Sequence, residues 1–402
     1  MNKKINLAVA GAVLLAASAA NAGIIIPAGE WTLDVNGNVN HFMIFDSTED
    51  GTAISGGLAS TDTLNGDQTS QSTGLLPTWL GFTGTTRQND LDVSFTISFQ
   101  PGTAQTSGGS GGTANNENRQ SFVTFGDKSW GTIKLGKDLG IFGSDAILSD
   151  MTLLGVGSSP GAYGNGNTTT LGHIGTGYIY ADWQGQVSYT TPNMNGFQAT
   201  VGVMQPWAAE GTAFSAATSG TNHETFGYEA KASYTASMGK VWVGFLQQDL
   251  DNTVATVGTV DRSATAYEIG VSGNAGNLGL VAYYYSGEGL GTTTKYADAI
   301  DLASGAERDS DGAFIQATYV IPTGTKLGVS YGRSDLDKVS TADSGVAGNL
   351  VSRNEMWTVG AYHPLTKHLN LVAEYNDVTA ESMGTAADNE SNSVSLGAIL
   401  FF

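Results

Sequence analysis

Apolar and polar residues alternate one by one over long stretches of this chain. From Asp90 to Phe99, Leu91, Val93, Phe95, Ile97 and Phe99 share one parity, and Asp90, Asp92, Ser94, Thr96 and Ser98 share the other. This period of two marks a strand with one greasy and one wetted face. Near the start, Trp31, Leu33, Val35 and Val39 alternate with Thr32, Asp34, Asn36, Asn38 and Asn40, and the chain ends on Val394, Leu396, Ala398, Leu400 and Phe402 in the same rhythm. The pattern predicts strands at 31–45, 77–86, 90–100, 119–126, 130–137, 183–191, 196–204, 225–236, 239–248, 262–273, 277–286, 311–321, 325–334, 354–364, 368–377 and 391–402. One of them breaks the rule: 239–248 puts Trp242 and Leu246 on the wet parity. The count is about sixteen, an even number, with each segment near the roughly 9–11 residues that a tilted strand needs to cross a bilayer.

Connection lengths alternate as well. Short turns stand at Gln88-Asn89, 127–129, 192–195, Ser237-Met238, 274–276, 322–324 and 365–367, and long Gly/Ser/Thr/Asp-rich loops fill 46–76, 101–118, 138–182, 205–224, 287–310 and 335–353. Short turns on one side and long loops on the other characterise transmembrane barrels. The fold expected is therefore all-β, a transmembrane antiparallel β-barrel of about sixteen strands in a single domain at 23–402. The low-complexity stretch 106–118 reads as a surface loop rather than a linker.

Met1-Asn2-Lys3-Lys4, the apolar run 5–17 and Ala20-Asn21-Ala22 before Gly23 have the form of a signal peptide at 1–22. Beyond it no apolar stretch is long enough for a membrane helix, which leaves strands as the means of crossing. There is no cysteine, so an exported chain must hold together without disulfides, as a closed sheet can. A net charge of −20 argues against nucleic acid as a partner, because that binding depends on cations neutralising phosphates.

Ser121-Phe122-Val123-Thr124-Phe125-Gly126, the stretch from Trp130 to Lys137, and Gln186-Val187-Ser188-Tyr189-Thr190-Thr191-Pro192 through Gly196-Phe197, together with a terminal Phe402, resemble the general porins of Gram-negative bacteria. The motifs cover these places, and the architecture covers the whole of 23–402. The resemblance implies a water-filled outer-membrane channel and not an enzyme, a homotrimer among outer-membrane lipid and lipopolysaccharide, and a terminal aromatic that serves the barrel-assembly machinery. It also implies that loop 138–182 folds into the lumen as the constriction, facing basic residues on the wall. Two positions depart from the family pattern: Lys137 replaces the usual Arg closing the fifth strand, and Asp182 falls where an Arg often opens the sixth. Both weaken the basic side of the constriction.

Strand parity sends Asp34, Asp90, Asp92, Glu229, Glu268 and Glu374 inward, along with Lys134 and Lys231, while the loop adds Asp138, Asp145 and Asp150. Acid exceeds base, so the pore is expected to prefer cations. Tyr189, Phe197, Tyr234, Tyr319 and Tyr375 near strand ends suggest interfacial girdles, and outward Ala230 and Ala232 suggest a face for subunit contact. The histidines at 41, 173, 223, 363 and 368 have no metal-ligand spacing, and no cofactor is implied. Asp309-Ser310-Asp311-Gly312 has the look of an acidic loop tip that could bind Ca²⁺ loosely. Two functions stay open at this point: passive diffusion of small hydrophilic solutes and ions, or a substrate-specific channel or surface adhesin or receptor carried by the long loops. A predicted lumen dominated by Ser, Thr, Asn and Asp favours diffusion.

Overall fold

The computed structural model describes residues 23–48, 51–61, 67–103, 116–158, 169–207, 225–250, 252–254, 258–260, 262–301, 304–339 and 349–402. The leader read at 1–22, Thr106 in the low-complexity stretch, and His223 lie outside them.

Sixteen antiparallel wall strands form one closed sheet: β1 Trp31–Thr48, β2 Trp79–Gln88, β3 Leu91–Pro101, β4 Ser121–Asp127, β5 Gly131–Leu139, β6 Trp183–Thr190, β7 Phe197–Met204, β8 Gly227–Ala236, β9 Gly239–Asp249, β10 Ser263–Ala275, β11 Leu278–Glu288, β12 Asp309–Val320, β13 Lys326–Leu336, β14 Val351–Pro364, β15 Leu369–Ser382 and β16 Asn389–Phe401. Each pairs with its neighbour in sequence, and β16 returns to β1 from Asn38↔Phe401 to Thr48↔Ser391. Closure removes the open edge that lipid could not satisfy. Three short pieces that the alternation did not reveal extend the wall: Ile24–Ala28 and Asp67–Ser72 along β1, and Asn116–Glu117 along β3.

Turn chemistry fixes the register. Asn89 (φ 47°) and Asp90 (φ 62°) occupy left-handed backbone between β2 and β3, as a two-residue hairpin whose twist matches the strands requires. Asp90 thus belongs to the turn, not to the inner wall. Asp309-Ser310-Asp311-Gly312 likewise opens β12 instead of forming a loop tip.

The parity expectation holds on the outside. Val39, Met43, Val201, Val243, Ile269, Leu280, Ile315 and Val359 are exposed on the outward face, with Phe197, Tyr234 and Tyr319 near one end of the strands and Tyr228, Tyr267, Trp357 and Tyr375 toward the other. Inside, the rule fails along one arc. Phe42, Ile44, Trp242, Leu246, Tyr283, Tyr285, Phe314, Tyr362 and Val372 lie on the inward parity and are buried. Phe142, Ile147, Met151 and Tyr178 of the loop that follows β5 pack over this arc, so the misplaced Trp242 and Leu246 mark the seat of a loop inside the barrel. Trp242 lies flat over the inward face of Gly270, where any side chain would collide with its indole.

Phe402 completes the seam: its N–H donates to Gly37 O at 3.0 Å, and its carbonyl accepts from Gly37 N–H at 2.9 Å. Deleting Phe402, or making Phe402→Asp, is expected to reduce heat-modifiable, membrane-inserted barrel strongly, whereas Thr106→Asp leaves it near the wild-type level. Equal amounts of folded protein on semi-native gels would contradict this.

Candidate channel constriction

A loop inside a barrel must find partners for its own backbone amides, and each one left buried and unpaired costs about 1–3 kcal/mol. The inner wall supplies carboxylates for them. Glu229 on β8 accepts from Ile141 N–H at 2.7 Å and Phe142 N–H at 2.8 Å, both on Oε2. Glu268 on β10 accepts from Gly143 N–H at 2.9 Å and from the Tyr283 hydroxyl at 2.7 Å. Glu374 on β15 accepts from Val156 N–H at 2.7 Å and Gly157 N–H at 3.0 Å, while Tyr362 donates to its other oxygen at 2.6 Å. Gln316 on β12 adds a two-way clamp, accepting from Met151 N–H at 2.6 Å and donating to Ser149 O at 3.0 Å. Gly155 is bare because the Glu374 carboxylate occupies the space of a side chain there.

The loop carries a short helix, α1 (Ser144–Ser149), whose first turn carries Asp145. Asp145 grips Lys231 at 2.8 Å and Lys240 at 2.5 Å. Burial pushes this carboxyl up, but the two ammonium groups outweigh it and hold the group below the usual carboxylate range. Asp150 caps the following turn through Thr152 N–H at 2.8 Å and accepts from the Tyr178 hydroxyl at 2.7 Å. His173 points Nδ1 at Thr176 O (3.2 Å) and Nε2 at Ser330 Oγ (2.7 Å). Because a carbonyl only accepts, Nδ1 carries the proton. Burial lowers the pKa of this imidazole, which favours its neutral form.

A second loop, 289–308, also enters from the long-loop side. Lys295 is fully buried and reaches Glu229 Oε1 at 2.5 Å, and Thr293 O accepts from Tyr180 N–H at 2.8 Å. It therefore presses the first loop onto the wall. Further out, Asp298 is buried beside Arg308, and its carboxyl is pushed up to about 7 by burial, against the pull of that guanidinium.

The expected site residues divide into groups. Glu229, Glu268, Glu374, Asp145, Asp150 and Lys231 converge on the lumen loop as anchors, all but Lys231 nearly sealed from water. Lys134 pairs with Asp138 on β5, and Asp138 also accepts from Gln120 at 2.8 Å. Asp34 faces inward, half-buried, with one oxygen unpartnered. Asp92 is exposed and bound to Arg87 at 2.7 Å, which also reaches Asp127 at 3.0 Å. Asp182 sits half-buried at the loop's exit in left-handed backbone (φ 56°). Lys137 is a correction: it shares the outward parity of Leu135 and is exposed outside the barrel, because an odd step from Lys134 flips the face. Lys240, Gln316, Tyr283 and Tyr362 lay on inward parities and were readable as such; Lys295, in a loop without periodicity, carried no signal.

On the arc from β2 to β7 the inner wall is hydroxylic, with Thr83, Ser94, Thr190 and Thr200 half-buried and Thr96 and Thr124 buried. Thr83 and Thr96 pair at 3.1 Å, Ser94 and Thr124 at 2.5 Å, and Thr190 and Thr200 at 3.0 Å. The lumen thus has a loop-covered half and a polar half. Among the described residues no cluster of three metal-ligating side chains occurs.

Residues 8–382 match the family model described as Gram-negative porin. The outer membrane channel DcaP of Acinetobacter baumannii superposes with a TM-score of 0.70 at 15% identity, covering 95% of this chain and 100% of that one. An anion-selective porin from Comamonas acidovorans gives 0.62 at 15%, over 93% and 100%. OmpF of Salmonella typhi, in complex with daunomycin, gives 0.60 at 15%, over 94% and 100%. No curated protein sequence matches the chain.

Two outcomes follow from this geometry. Glu374→Ala removes the acceptor for two buried amides and a hydroxyl, so amide exchange at Val156 and Gly157 should speed at least tenfold, about 1.4 kcal/mol; unchanged protection there would refute the anchor. For Asp298, a folded pKa raised to about 7 from 3.8 means that the packed loop favours the protonated form. Its contribution is full below about pH 4 and is lost as pH rises through 7. Proteolysis of loop 289–308 should accordingly quicken between pH 6 and pH 8, and Asp298→Asn should flatten that dependence.

Proposed function

On the premise that this chain belongs to the Gram-negative porin family, we propose that it is a general diffusion channel for small hydrophilic solutes and ions, with a preference for cations. The fold is that of outer-membrane porin channels, a class of pores and not of catalysts. The observation that carries the finer reading is the hydroxyl-lined inner wall from β2 to β7, where Thr83, Ser94, Thr190 and Thr200 are half-buried, opposite the apolar arc that the loop covers. Paired hydroxyls offer both donors and acceptors to a hydrated solute without selecting its shape.

Charge balance supports the cation preference. Asp34 faces the lumen half-buried, with no Lys or Arg at ion-pair distance among the described residues, whereas Asp150, Glu268 and Glu374 are nearly sealed from water and act on a passing ion only through the field. A carboxylate 4 Å from a passing ion is worth about 1 kcal/mol in bulk-like water and more in a narrow lumen. In this reading outer-membrane lipid and lipopolysaccharide surround the belt, the assembly machinery takes the strand ending at Phe402, and three copies associate. The leader at 1–22 directs export.

Reversal potentials across a KCl gradient test the preference. The wild type should select K⁺, Asp34→Asn should reduce that selectivity, and Lys137→Ala, being outside the barrel, should leave it unchanged. A Cl⁻-selective wild type would overturn it.

A further inference from the structure

The outward wall from β10 to β14 is not smooth. A concavity of about 610 Å³ opens on it, and no charged residue lines it. The strand register produces the hollow: Gly273 stands beside Leu280 and Leu280 beside Ala317, while Ala282 lies between Val271 and Ile315. Small residues thus leave space between large ones. Gly273 can be nothing larger, because a Cβ there would come within 2.8 Å of the Met238 carbonyl oxygen, which accepts from Asn274 N–H at 2.8 Å. At the far end Tyr331 and Trp357 pack with ring centroids 4.5 Å apart, and Tyr331 turns its hydroxyl away to Glu355 at 2.8 Å. Gln316 and Ser330 also border the hollow, but their side chains turn inward to Met151 and His173.

Height identifies what fills it. Met238 and Ala275 lie at short turns, the periplasmic side of such barrels. Trp357 stands about seven residues up β14 from Pro364, which at roughly 3.3 Å per residue and a tilt of about 40° is about 18 Å along the membrane normal. The hollow therefore runs from the periplasmic interface to near the middle of a hydrocarbon core roughly 30 Å thick, the depth of one leaflet. Lipopolysaccharide, anchored on the long-loop side, brings only its chain tips to this depth. A phospholipid of the periplasmic leaflet lies along the whole of it. A neighbouring barrel presents a convex wall, which spans a hollow without filling it. Between lipid and a lipid-facing wall there is no hydrophobic gain, so residence depends on dispersion contacts, and a chain lying in a hollow meets wall on more than one side.

We infer that this concavity is a binding site for one acyl chain of a periplasmic-leaflet phospholipid, which enters beside Met238 and Ala275 and ends against Tyr331 and Trp357. The site is independent of the lumen and of the ion preference proposed above. It makes part of the lipid belt a bound component of the barrel instead of a freely exchanging solvent.

The test uses the folded, heat-modifiable protein in phosphatidylethanolamine vesicles that contain a trace of the same lipid with a photoreactive diazirine on one chain, either close to the ester or at the chain end. After irradiation the adducts are mapped on peptides. Labelling of β10–β13 is expected to exceed that of β6–β7, where Val187 and Val201 are equally exposed, by about threefold or more. The ester-proximal probe should mark peptides near Met238 and Ala275, and the chain-end probe those containing Tyr331 and Trp357. Ala282→Phe and Ala317→Phe, which fill the hollow from the lipid side, should each bring β10–β13 down to the level of β6–β7, whereas Val201→Phe should change nothing. Even labelling around the belt, an excess that survives both filling variants, or the reverse order of the two probes would overturn the inference.

Discussion

In a place without free water, a backbone N–H or C=O has to be paired within the protein. That requirement acts twice in this molecule. In the wall it forces sixteen strands to close on themselves through β1 and β16, with Phe402 bonded on both sides to Gly37. In the lumen it forces the inserted loop to take acceptors from the wall, and Glu229, Glu268, Glu374 and Gln316 provide them. The carboxylates on the inner wall are consequently structural first. They can shape the field felt by an ion while remaining out of its reach.

This division explains how the barrel can be both plugged and open. Loop residues Phe142, Ile147, Met151 and Tyr178 cover Trp242, Tyr283, Tyr285 and Phe314 on one arc, forming a core inside the barrel much like that of a soluble domain. The opposite arc is lined by paired threonines and serines, of which Thr83, Ser94, Thr190 and Thr200 are half-buried. Lys295, buried against Glu229, shares that wall carboxylate with the Ile141 and Phe142 amides of the first loop, so one group holds both loops. Removing one partner of such a buried pair leaves an uncompensated charge, which makes the tie stiff.

Strand existence and facing were legible because alternation is strict wherever one face meets lipid: Leu91 to Phe99 needed no tertiary information. The break in parity at Trp242 and Leu246 finds its reason only in the structure, where a loop covers that part of the inner wall. What the sequence could not convey was the role of each inward charge. Parity sends Glu374 and Asp34 to the same side of the sheet, yet one is sealed under Val156 and Gly157 and the other is half open; only the path of a distant loop distinguishes them. Lys137 faces outward for a simpler reason: it shares the parity of Leu135, whatever the position that the family resemblance implies for it. Asp67–Ser72 escaped notice because a strand polar on both faces has no period to detect.

The central claim is that a water-filled path remains beside the seated loop. Single-channel recording of the purified protein in planar bilayers tests it most directly. The structure predicts discrete, ohmic steps whose conductance rises in proportion to KCl concentration, as expected of ions moving through bulk-like water. Absence of steps, or conductance that saturates at low salt as in a pore governed by a tight binding site, would contradict it.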